Sequence, residues 1–194
     1  ASYEKAKAGL AQLDEKDLNE WDAKFLESMI IRKQADMAIY KDLNMAKAKS
    51  LGEQAAGIFE TLTATGNKDQ SVLAMAEHIS VLLMVADAQN KLNSPELSLK
   101  ILEKVSELNQ QISPKNDYLN EVQKRWLFYA QPMISFRRAE ALYGLAVKKK
   151  AAPRDPAAEP YASESTESFK LAMQQFADLS EKYPSWRRLQ RNQF

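Results

Sequence analysis

From residue 18 onward, apolar residues recur every three or four positions. Leu18, Trp21, Phe25, Met29, Ile30, Met37 and the pair Ile39–Tyr40 trace one face of a predicted helix from Leu18 to Tyr40, because side chains three and four apart lie above one another on an α-helix. A second helix is predicted over Leu43 to Ala64, with Leu51, Ala55, Ile58, Phe59 and Leu62 as its stripe, stopped by Thr65-Gly66-Asn67 as a left-handed cap. Val72 to Leu92 is apolar around most of its circumference in its first half. A helix of that kind is covered on more than one side, so it belongs in the middle of the assembly.

Asn93-Ser94-Pro95-Glu96 predicts a helix start, with Ser94 as cap and Pro95 preset for the first helical position. Leu97, Ile101, Val105, Leu108 and Ile112 follow as its stripe. Tyr118 to Lys150 reads as one long helix that Pro132 must kink or break, since proline removes a backbone donor and clashes with the preceding turn. The 151–160 stretch, Ala-Ala-Pro-Arg-Asp-Pro-Ala-Ala-Glu-Pro, is predicted as an exposed loop. Ser163 to Lys182 forms the last helix, with Phe169, Ala172, Met173, Phe176 and Leu179 inward. Tyr3 to Leu13 adds a helix at the start, and the expected total is seven. No segment has the period-two alternation of a strand. The fold class is therefore all-α, in one domain over 1–194, with short turns pairing the helices into antiparallel hairpins.

Composition narrows the function classes. With 27 Lys+Arg against 26 Asp+Glu, the net charge of +1 gives no general pull toward nucleic acid or anionic membrane. The lack of cysteine removes disulfides, thiolate metal sites and Cys nucleophiles. The apolar run Val72–Ala86 is too short for a membrane span and contains Glu77, His78 and Ser80. The start Ala1-Ser2-Tyr3 suits either a processed, exported chain or a cytoplasmic one.

Ala139-Glu-Ala-Leu-Tyr-Gly144-Leu-Ala146 places small residues where helices pack tightly, and Ala172, Phe176 and Pro184 follow at steps of four and eight. A small Ala allows close helix approach, an aromatic fills the wedge beside it, and Pro ends the helix. On these residues the segment 137–186 resembles the tetratricopeptide repeat, and its ending is similar to repeats of bacterial envelope scaffold proteins. The resemblance implies an irregular array of stacked hairpins, non-enzymatic, periplasmic or otherwise exported, that binds a peptide or protein through a concave groove. The remaining hairpins echo the pattern only faintly, and a non-repeating helical bundle is the alternative architecture.

Candidate chemistry is sparse. His78 is the single histidine, and one His without Cys builds none of the common zinc sites. No G-x-S-x-G or G-x-G motif occurs. No cofactor or metal is expected, and the competing class is a small helical-bundle enzyme or cofactor carrier using His78. Two basic-aromatic clusters remain as partner-binding candidates: Arg125 and Trp126 with Arg137 and Arg138 on the long helix, and Trp186, Arg187 and Arg188 in the basic tail 185–194. Arginine offers bidentate donation to a carboxylate and tryptophan a flat platform. A homo-oligomeric structural protein is the third class.

Overall fold

The computed structural model describes residues 19–112, 117–150 and 158–184. They form six helices: α1 (Glu20–Tyr40), α2 (Met45–Thr65), α3 (Lys68–Lys91), α4 (Pro95–Gln111), α5 (Glu121–Lys150) and α6 (Ala158–Lys182). The described residues contain no strand, and the fold is all-α. The expected helix over Tyr3–Leu13 lies outside the described residues.

Four of the six helices begin on asparagine, which the apolar pattern does not reveal. Asn19 accepts from the Asp22 amide, Asn44 from the Lys47 amide, and Asn67 from the Asp69 and Gln70 amides. The Gln70 side chain returns a bond to the Asn67 amide, closing a capping box that starts α3 four residues before the predicted Val72. Asn120 and Gln123 make the same reciprocal pair at the start of α5, at 2.9 and 3.1 Å.

Several expected ends differ. Gly66 closes α2 in extended backbone (φ −74°, ψ 157°), not in a left-handed cap. The left-handed positions are Leu43 (φ 50°) and Asn93 (φ 58°). Ser94 makes no side-chain cap, while Pro95 does open α4. Ala158–Pro160 belong to α6, because a proline in the first helical turn removes an amide that has no acceptor there anyway.

Consecutive helices pack against each other along the chain, and α3 also packs against α5 and, more lightly, α1. One core runs through these contacts. Phe59 of α2 is fully buried and meets Phe25 of α1 edge-on at 5.8 Å. Trp21 stacks on Phe25 and donates to the Leu62 carbonyl at 3.0 Å, fastening α1 to α2. As its composition demands, α3 is buried on nearly all sides from Ala74 to Gln89, with only Met75, Ser80 and Met84 partly open. It is long and apolar enough to cross a membrane, but 67% of its most apolar window is buried within the fold.

Pro132 does not break α5. Helix α6 and the residue after it splint both sides of the proline: Tyr183, just past its end, and Phe176 pack on Phe128 and Tyr129 before it, and Phe169 packs on Phe136 after it. Contacts on both flanks hold the helix across the missing hydrogen bond.

Candidate interaction surface

Helix α5 carries three stripes at heptad spacing, and their fates differ. The first faces α3. Gln123, Leu127, Ala130 and Ile134 are buried there, and Gln123 Nε2 donates to Glu77 Oε1 at 3.2 Å. Glu77 is also paired with Arg32 of α1, so one buried carboxylate ties together α1, α3 and α5. One helical turn beyond Ile134, the guanidinium of Arg137 lies 2.8 Å from Asp87 Oδ1 and hydrogen-bonds Glu140 at 2.7 Å. The Asp87 contact is an ion pair without hydrogen-bond geometry, because Oδ1 makes no hydrogen bond. Lys91 holds the other Asp87 oxygen at 2.9 Å, and Asn90 donates to the Arg137 carbonyl.

The second stripe faces α6. Ser165 donates to the Ala139 carbonyl at 2.9 Å across an interface where Ala139 and Ala172 are buried. Ser135 donates to Gln175 at 2.8 Å, and Arg138 pairs with Glu164 at 2.6 Å. Phe176 rests on Tyr129, centroids 6.4 Å apart, and so packs on the helix that precedes it in the chain. Gly144 sits beside Pro95 of α4, where an added Cβ would make ordinary contact at 3.5 Å. Pro184 is exposed just past the end of α6.

The third stripe is open at its two ends, while in its middle Met133 packs on the core and Tyr129 and Phe136 pack on α6. Val122 is 63% exposed, Trp126 37%, Tyr143 61% and Val147 50%. Nearby on α6, Met173 is 72% exposed, so its expected inward placement is corrected: Ala172 takes the buried position and Met173 stands at its edge. Leu97 is likewise 46% exposed, and the buried stripe of α4 is Ser98, Leu102 and Val105. Three and four residues of spacing fit either neighbouring stripe, and packing decides between them.

The candidates thus separate. Trp126 is exposed at the open face, with Arg125 next to it in sequence. Arg137 is committed inward, against the expectation that it lines a binding face, because two carboxylates claim its guanidinium. Arg138 is exposed yet engaged by Glu164. Trp186, Arg187 and Arg188 lie outside the described residues. His78 is buried on α3 with Nε2 unpartnered, near the Lys104–Glu60 ion pair. Burial, then the Lys104 charge, pushes its pKa down to about 4. Among the described residues no three His, Asp or Glu side chains group as a metal site. No protein-family model, curated protein or solved structure matches the chain.

Proposed function

We propose that this protein is a non-enzymatic interaction scaffold, an irregular tetratricopeptide-like stack of antiparallel hairpins that binds a peptide or protein partner. The observation that carries the reading is the open face of α5, where Val122 and Trp126 stand in solvent one turn apart. A large aromatic held at the surface of a rigid helix costs little entropy to immobilise on binding and supplies much contact area. Packing of each helix on its sequence neighbours, with α3 reaching α5, suits a stack whose units contact only adjacent units. The buried small residues Ala139 and Ala172 at the α5–α6 crossing support the same reading. Its bacterial-envelope setting rests on the sequence resemblance, and fractionation of the native source tests it.

The partner then lies against the outside of α5, and the acidic positions of α3 serve the fold. Affinity purification with the wild-type chain and with Trp126→Ala tests the proposal. A protein retained by the wild type and lost with Trp126→Ala supports it. Equal recovery by Trp126→Ala and by Arg138→Glu overturns it.

A further inference from the structure

Three ionisable side chains of α3 are buried, and they are not treated alike. Glu77 and Asp87 are paired with arginine and lysine. His78 is 2% exposed, and its Nε2 has no hydrogen-bond partner. The charges that act on it come from helices on either side, Lys104 of α4 and Glu60 of α2, which are themselves joined at 2.7 Å. Helices α1 and α5 reach this stretch of α3 through Arg32 and Gln123, and Glu77 holds both.

Helices α2 and α4 pack on α3 and scarcely on each other, so the Lys104–Glu60 bond spans two helices that otherwise meet through α3. Both of its side chains are largely in water, and a bond of that kind opens readily. Helix α4 is also held unequally along its length. Its first half is fixed where Ser98 donates to the Ala86 carbonyl at 3.1 Å and where Glu96 pairs with Lys148. Beyond Leu102 the helix fully buries only Val105, with Leu108 partly covered and Ile112 just past its end.

A proton on His78 acts on this weakly held half. The imidazolium stands buried beside the Lys104 ammonium, and its new N–H lacks an acceptor. Moving the second half of α4 aside removes the like charge, admits water and leaves the Glu60 carboxylate to accept from His78. Glu60 remains ionised meanwhile, because the Lys104 hydrogen bond holds its pKa below 4.5. We propose that His78, Glu60 and Lys104 form an acid-released latch: when His78 gains a proton, Glu60 exchanges Lys104 for the imidazolium, and the second half of α4 parts from α2 while α5 and α6 stay closed.

Burial, then Lys104, keeps the closed form's pKa at about 4, against 6.5 for a histidine in water. Opening should therefore be about 20-fold more populated at pH 5 than at pH 7. Hydrogen exchange of the full chain at the two pH values, corrected for intrinsic rates, measures it. Protection of the amides from 104 to 111 should fall about 20-fold, while that of 127–146 in α5 holds. His78→Gln should abolish the fall. Lys104→Gln, a surface change that tests the latch even if His78→Gln does not fold, should lower protection of 104–111 at pH 7 about 2- to 5-fold. It should also shrink the fall at pH 5, because Glu60 is then free for His78 in the closed form. Unchanged protection at pH 5, an equal fall in α5 and α6, a fall that persists in His78→Gln, or a Lys104→Gln variant identical to wild type overturns the latch. None of these outcomes involves a partner at α5, so the scaffold reading stands or falls separately.

Discussion

Helices α3 and α5 are both apolar on more than one side, but only α3 is enclosed. Neighbours before and after it in the chain cover α3: α1 and α2 on one side, α4 and α5 on the other. Helix α5 has α3 and α4 on one side but only α6 beyond it, so both ends of one of its three stripes stay in solvent. The charges follow the same division. On α3, Glu77 and Asp87 are buried and must be answered by Arg32, Gln123, Arg137 and Lys91. At the open ends of α5 the ion pairs are at the surface, Lys124 with Glu121 and Lys148 with Glu96. Enclosure by neighbours, more than the apolar content of a helix, decides which surface remains for a partner.

The largest test of this contrast is at the enclosed end. Arg32→Ala should destabilise the fold by about 3–5 kcal/mol, because it leaves the Glu77 carboxylate buried with only Gln123 as donor. Urea unfolding at neutral pH measures the loss. Pairing Arg32→Met with Glu77→Gln should restore most of it, since no buried charge is then left and Gln123 keeps an acceptor. A double variant as unstable as the single one would show that the ion pair is not what holds α1 to α3 and α5.

His78 tests the same enclosure through pH. Burial favours its neutral form, so its pKa falls from 6.5 to about 4 in the fold. The unfolded chain takes up the proton first. The stability this group contributes is therefore complete above about 6.5 and is lost as pH falls toward about 4, amounting to about 3 kcal/mol. Glu60, held below its ordinary value first by the Lys104 hydrogen bond, loses its contribution only as pH falls below 4.5. Comparing His78→Gln with the wild type isolates the histidine. The wild type should weaken between pH 6.5 and 4.5, and the variant should stay nearly flat over that range. Parallel slopes would mean that α3 is open to water at His78.

What was legible in the sequence follows from the same physics. Periodicity of three and four residues identified every described helix, and the continuous apolar run marked α3 as central. It could not choose among adjacent stripes, so Leu97 and Met173 were expected inward while Ser98 and Ala172 hold those places. Helix starts were misplaced because asparagine caps are polar and lie outside an apolar pattern. The signal was present in Asn67 and Asn120, each followed three residues later by Gln. Arg137 read as a surface cation because its partner Asp87 lies 50 positions away in the chain. Nothing local in the sequence announces that pairing.

Two glycines of α2 sharpen the comparison at smaller scale. Gly52 faces the enclosed helix, and a Cβ there would stand 2.6 Å from Val85 Cγ2, itself a buried side chain of α3. Gly57 faces outward, and a Cβ meets nothing within 4 Å. Replacing a helical glycine by alanine gains about 0.5–1 kcal/mol where there is room. Gly57→Ala should raise the free energy of unfolding by that amount, read from urea unfolding. Gly52→Ala should lose the gain and more, because Val85 is packed too tightly to retreat. Equal responses would mean that α2 and α3 can part without cost.

The smallest expected effect on the isolated protein is at the open stripe. Val122→Ala removes two methyl groups that water already reaches, so its stability should change by less than about 0.5 kcal/mol. Ile134→Ala, on the stripe facing α3 and only 7% exposed, should cost about 2–5 kcal/mol. The same helix would thus tolerate truncation on one face and not on another. Trp126→Ala extends the test, because a tryptophan contributing to the core would cost about 3 kcal/mol or more on truncation. A small loss at Trp126 in thermal unfolding, together with loss of a purified partner, assigns the residue to recognition. A large loss assigns it to the fold and returns α5 to the enclosed class that α3 defines.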